Sequence, residues 1–532
     1  MKKIYPLIAV ILCTGILSSC KKENKNNNNP SGPSKVGSTL DLIKDSVFLY
    51  AQEEYLWNTQ LPSYSAFNPR SFSNPEDATA LSTELNALSQ YAINPSTGAP
   101  YEYSIYDPSA AKYSFIDDGT ETAALNGSKG DYGFDVNYSL INDPLVNDLR
   151  VEYVYPGSPA AVAGIKRGYR ITSINGSASL SYDGSGYGTG TSANLNAINA
   201  AIYASNTISM TLQKPDGTTL TVTDLSVGNY NVNPVLKDTV FNEGNGHVIG
   251  YLVFNSFTSD SNADPLLNAA FANFTSQGVT DLVVDLRYNG GGYVSTAEYL
   301  DNLIVPAAKS GTLMYNTYYN SNLVSGKDPL LANQWRTDPS SGQDFNYGQI
   351  NYSVAENLVN FSKIGSLNVG RVFFIMTDQT ASASELTINN LRPEMDVEFV
   401  GTTSYGKPVG FFDININKYT MFTPEFSVQN SAGAGGYYAG FTPGAPGYPG
   451  VNGVDDITKD FGDPTESLLA DIISDVNTGT YAIANKTVQS VQSNASVVRL
   501  NKGHTFNLHT KNPQFVGMIV NRKKLAKARK KK

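Results

Sequence analysis

The chain has 532 residues, enough for about three domains, with 16% charged residues and a net charge of −9 at pH 7. That acidic balance disfavours nucleic acid as a partner. The two cysteines, Cys13 and Cys20, lie at the start and the three histidines, His247, His504 and His509, are dispersed, so the rest of the chain holds no disulfide, cysteine-ligated zinc or catalytic thiol, and no metal or cofactor is expected.

Residues 1–20 read as an export signal. Lys2 and Lys3 form a charged start, and the apolar core from Pro6 to Leu17 is too short to span a bilayer comfortably. Leu17-Ser18-Ser19-Cys20 resembles a bacterial lipobox. That resemblance implies cleavage before Cys20, acylation of Cys20 with chains such as palmitate, and a lipid anchor in the cell envelope. An ordinary signal peptide with a chance cysteine is the alternative. Residues 21–37, rich in Asn, Lys, Ser and Pro, read as a flexible tether.

Residues 38–125 read as a small helical domain with nothing catalytic in it. Leu40, Ile43, Val47, Tyr50 and Ala51 share one helical face. A second helix is expected from Asn74 as N-cap, with Pro75 in the first turn and Ala78, Leu81, Leu85 and Leu88 inward. Residues 130–226 resemble a PDZ domain. The resemblance places a carboxylate-binding loop and strand at Tyr132, Gly133 and Phe134, and a facing helix at Leu195 and Ile198. A peptide C-terminus would add there as a strand. Ser158 to Gly164 is a capped short helix, and Thr207–Gln213 with Thr218–Thr223 a hairpin. A PDZ fold used only as structure is the bland reading. Gly184 to Gly190 fits neither phosphate-loop spacing and reads as an insertion.

Residues 245–480 alternate strands and helices, which argues for an α/β core. Val248–Phe254 and Asp281–Leu286 are strand runs, and a helix is expected from Asp264-Pro265 with Leu266, Ala270 and Phe274 inward. The Asn289-Gly-Gly-Gly292 turn follows the second strand, where ligands gather in such sheets. Residues 306–350 are expected to line or cover a cleft. A last helix is expected from Asp463-Pro464, with Leu468, Leu469 and Ile472 inward. Residues 485–532 read as a β appendage ending in a solvated tail with eight basic residues in Arg522–Lys532.

Arg371–Thr377 is an apolar strand that runs through Thr380-Ala-Ser-Ala-Ser-Glu385 into a short helix stopped by Pro393. Such a turn presents a serine hydroxyl above the free N–H groups of a helix start. Simple capping by Ser382 or Ser384 is the alternative. A serine needs a base. His247 could approach in space, and Lys407, in Ser404-Tyr-Gly-Lys-Pro408, serves if burial lowers its pKa.

These stretches, with Asp285-Leu-Arg-Tyr-Asn-Gly-Gly-Gly292, resemble the C-terminal processing peptidases, the tail-specific proteases of family S41. The resemblance covers roughly residues 40–480. It implies a multidomain α+β chain with a ClpP/crotonase-like core, Ser382 as nucleophile, and Lys407 as base. Gly291 or Gly292, with the Ala383 N–H, would form the oxyanion hole. Protein or peptide substrates follow. Many members carry a glutamine four residues after the lysine, where this chain has Phe411. A silent dyad in a peptide-binding lipoprotein is therefore the rival reading. A glycan-binding lipoprotein would need helical repeats or an all-β sandwich, and neither pattern appears.

Overall fold

A computed structural model describes residues 33–104, 107–139, 147–184, 191–481, 515–520 and 522–529. Cys20, the lipobox and most of the Gly184–Gly190 stretch lie outside them. The organising layer is a six-stranded sheet of β1 (Val235–Gly244), β2 (His247–Phe254), β3 (Asp281–Asp285), β4 (Arg371–Met376), β5 (Asp396–Gly401) and β6 (Gly450–Asn452), in spatial order β6-β5-β4-β3-β2-β1. Only β1 runs antiparallel. β3 is buried at every position because helices cover both faces. On one side lie α1 (Asp260–Ser276), α2 (Val294–Ile304) and α3 (Ala383–Leu391), and on the other α4 (Ser467–Thr478). All parallel strands end toward the same edge, so the turns after β3 and β4 meet there.

Two helix starts differ from expectation. α1 begins four residues before Asp264 and carries Pro265 inside, which turns Leu267 rather than Leu266 inward. α4 begins at Ser467, capped by the Glu466 carboxylate on the Leu469 N–H.

The N-terminal helices are not a body apart. In the first, Thr39–Glu54, Ser38 and Asp41 cap each other. Ile43, Val47, Tyr50, Leu81 and Leu85 belong to the same core as the main sheet. The second helix is Asp77–Ser89, and Asn74 sits before it, accepting the Glu76 N–H. Residues 306–350 are no simple lid. Their strand Leu313–Tyr319 lies in a second sheet with Leu358–Asn360, Phe426–Asn430 and Val409–Gly410, while Phe345, Tyr347 and Ile350 are core.

The PDZ segment is a five-stranded antiparallel sheet, with Phe134–Tyr138 at one edge and a helix at Ala193–Tyr203. Its Arg167 reaches the main domain, bonding the Tyr288 hydroxyl and pairing with Asp455 at 2.7 Å. The basic end, expected in solvent, is docked over its described residues. Leu525 and Ala526 are buried, Lys524 pairs with Glu298 at 3.0 Å and Arg522 with Asp413 at 3.1 Å. Among the described residues no helix is long and apolar enough to cross a membrane.

Candidate active site

Ser382 stands between β4 and α3 with φ +60° and ψ −105°, a backbone region that a non-glycine residue occupies only when its surroundings fix it. What fixes it is Glu385. One oxygen of this fully buried carboxylate accepts the N–H groups of Ser382 (3.0 Å) and Lys407 (2.8 Å). The other accepts the Ser404 hydroxyl (2.6 Å) and the Gly406 N–H (2.7 Å). One side chain thus ties the serine turn to the lysine loop. Burial raises the Glu385 pKa, and these bonds oppose the rise. Ser382 is the N-cap of α3, and Glu385 on its N–H is the capping-box contact, yet its Oγ is buried with no hydrogen-bond partner, so the hydroxyl is not used in capping. Ser384 Oγ donates to the Asn289 carbonyl at 2.9 Å, a supporting contact.

Lys407 is completely buried, and desolvation holds its amine well below the ordinary lysine value, against the charges of Glu102, Glu425 and Glu385. Its Nζ donates to the carbonyls of Val516 and Tyr113 and lies 3.7 Å from the centre of the Phe411 ring. Phe411 thus meets the amine with an aromatic face rather than an amide. Tyr113 belongs to the segment in which nothing catalytic was expected; its hydroxyl also donates to the Gly406 carbonyl. Ser382 Oγ and Lys407 Nζ are not hydrogen-bonded to each other. His247 lies elsewhere. It pairs with Asp281 where β3 begins, at the opposite end of the strands.

The glycine turn separates two expectations. The Gly291 N–H donates to Asn289 Oδ1 at 2.9 Å, which removes it as an oxyanion donor and leaves Gly292. Gly291 and Gly292 have φ of +111° and +140°, and a Cβ on Gly292 would stand 2.0 Å from the Phe257 carbonyl oxygen, so only glycine fits. The Ala383 N–H is at the first position of α3, where the helix supplies no acceptor. Beneath the turn Arg287 forks onto Asp285 and reaches Asp455 and Glu466, all buried or nearly so. The Asp285-Leu-Arg287 motif therefore anchors the turn, and Arg167 couples it to the PDZ segment. Neither Asp455 nor Glu466 carries a local signal in sequence.

Tyr132, Phe134 and Ile198 are buried in the PDZ core, with Leu195 packed against it. The Gly133 N–H is taken by Asp131 Oδ1 at 2.7 Å, and on the Phe134–Tyr138 edge the N–H groups of Val136 and Tyr138 bond the side chains of Asp135 and Asn137. A cavity of about 450 Å³ nevertheless touches both sites, lined by Tyr132, Gly133 and Phe134 and by Gly290, Gly291 and Phe515. Among the described residues no group of three or more His, Cys, Asp or Glu side chains is arranged to hold a metal ion.

Residues 248–430 match the model of peptidase family S41, and residues 150–184 that of the PDZ domain. A carboxyl-terminal-processing protease of Picosynechococcus sp. (strain ATCC 27264 / PCC 7002 / PR-6) is 28% identical over 173 residues, 32% of this chain. The match spans 37% of that curated relative's length. A crystal structure described as a candidate S41 protease from Bacteroides fragilis NCTC 9343 has the same fold, with a TM-score of 0.53 at 23% identity over 82% of this chain and 97% of that one.

Proposed function

We propose that this chain, which belongs to peptidase family S41 through residues 248–430 and carries a PDZ domain, is an envelope-anchored serine endopeptidase working through Ser382 and Lys407. The observation that carries the reading is the single Glu385 oxygen that accepts both the Ser382 and the Lys407 N–H. This arrangement ties the backbones of a residue whose hydroxyl has no partner and a residue whose amine has a lowered pKa to one carboxylate oxygen. Once Lys407 turns from its carbonyl partners, its neutral amine takes the Ser382 proton as Oγ attacks a peptide carbonyl. The N–H groups of Gly292 and Ala383 receive the oxyanion. The leaving amine takes the proton back, and water hydrolyses the acyl-enzyme.

Substrates are exported or misfolded proteins, and the PDZ segment helps to select their C-termini. The cavity shared by Tyr132–Phe134 and the glycine turn supports that selection, although the occupied Gly133 N–H requires Asp131 to yield first. Acylation at Cys20 supplies the anchor and places the enzyme at the envelope surface, facing the periplasm or the exterior. The rival is a silent dyad that only binds peptide, favoured by the contacts that hold the Lys407 amine away from Ser382 Oγ. A serine-reactive acylating probe decides between them. Labelling located at Ser382 and lost in Ser382→Ala supports the peptidase; a wild type that never labels supports the binder.

A further inference from the structure

The cleft is not empty. Residues 515–520 run through it as an extended strand bonded on both edges. On one side Gly517, Met518 and Ile519 pair in parallel with Gly291, Gly292 and Tyr293, and the Gly517 N–H donates to the Gly290 carbonyl at 3.0 Å. On the other, the Phe411 N–H donates to the Met518 carbonyl at 2.8 Å and the Val520 N–H to the Phe411 carbonyl at 2.9 Å. This is strand addition, the way an extended peptide is bound through its main chain.

The register is the informative part. A parallel ladder that joins the Gly517 N–H to Gly290 turns the Gly517 carbonyl toward the Gly292 N–H. The Gly517 oxygen lies 2.1 Å from the point a Gly291 Cβ would occupy, and the Ala383 nitrogen lies 3.0 Å from the same point. The carbonyl of Gly517 therefore faces the Gly292 N–H, with the Ala383 nitrogen nearby. One residue earlier, the Val516 carbonyl accepts from Lys407 Nζ. Residue 517 has little space, since an added Cβ would stand 2.4 Å from Phe515 Cζ and 3.1 Å from Phe411 Cε2, so glycine suits the position. Beyond it, Met518, Ile519 and Val520 are buried, and the helix Arg522–Lys527 is held by Asp413 and Glu298.

We propose that residues 515–520 are a tethered substrate, and that Ser382 cuts this chain's own Gly517–Met518 peptide bond. The inference rests on the dyad reading above. In the step, a bond forms between Ser382 Oγ and the Gly517 carbonyl carbon while the serine proton passes to Lys407. The carbon–nitrogen bond to Met518 then breaks, and the proton leaves with the Met518 amine. One water hydrolyses the ester, giving a Gly517 carboxylate and restoring Ser382. No oxidant, reductant or metal enters the balance. Until the cut segment leaves, it competes with any other peptide for the same strand position.

The test follows the intact mass of the purified full chain with time at neutral pH, in wild type, Ser382→Ala and Met518→Pro. Wild type should accumulate a species ending at Gly517, at a first-order rate independent of protein concentration. Ser382→Ala should stay whole. Met518→Pro, verified as folded, should stay whole, because it alters the bond to be cut. A wild type that stays whole while it labels at Ser382 and cuts an unfolded protein overturns the proposal and leaves the peptidase reading standing. A wild type that neither labels nor cuts overturns both. A cut at another bond, or at a rate that scales with concentration, also refutes the tethered geometry.

Discussion

Replacing Glu385 with glutamine should disable the site without touching either reacting group. The carboxylate accepts four hydrogen bonds, two on each oxygen. Glutamine keeps one accepting oxygen and puts an NH2 group where the other was. Either the Ser382 and Lys407 pair or the Ser404 and Gly406 pair then faces a donor. Each buried donor left without its acceptor costs about 1–3 kcal/mol, so the pair costs about 2–6 kcal/mol. At ~1.36 kcal/mol per tenfold in rate, the low end alone slows a step that needs this turn geometry about thirtyfold. The assay is the second-order rate of acylation by a serine-reactive probe, with urea unfolding run in parallel. Glu385→Asp keeps both oxygens with a shorter reach and should lose less. If Glu385→Gln acylates and unfolds like wild type, the carboxylate does not hold the site together.

Because burial holds the Lys407 amine below its ordinary 10.5, the neutral base grows in as pH rises through the folded value, and kcat/KM should show an acid limb well below pH 10.5. The linked stability has the same sign: present in full above the unfolded value and lost as pH falls through the folded one, so Lys407→Met should abolish turnover and remove that slope in stability. Lys407→Arg should be as inactive as Lys407→Ala, since a guanidinium keeps its proton; near-normal turnover would refute the base. Cys20→Ser should release the protein from the membrane fraction; a variant still bound in high salt is anchored elsewhere. Peptides ending in a free apolar residue should be cut faster than matched peptides ending in a charged residue or an amide, and equal initial rates would leave the PDZ segment as scaffold.

The parts of the site that sequence conveys are those written in local order. The apolar run before Thr377, the small residues at 380–384 and the glycines at 290–292 each specify a strand end and a turn within a few residues. The S41 and PDZ folds were legible for that reason, together with the spacing between motifs. What stayed hidden depends on chain segments far apart. Glu385 reads as an ordinary first-turn acid, and only the return of Gly406 and Lys407 reveals its other partners. Tyr113 and Val516 meet Lys407 from 294 and 109 positions away. The choice of Gly292 over Gly291 turns on one Asn289 side chain. The basic end looked solvated because its partners, Asp413 and Glu298, lie in other elements.

The most direct test of the central claim is turnover of an unfolded protein by wild type, Ser382→Ala and Ser384→Ala, each verified as folded. Ser382→Ala should abolish cleavage, because it removes the hydroxyl that attacks. Ser384→Ala should remain active, since it removes one supporting bond to the Asn289 carbonyl, worth about 0.5–1.5 kcal/mol. Equal losses in the two variants, or no loss in Ser382→Ala, would contradict the assignment of Ser382 as the nucleophile.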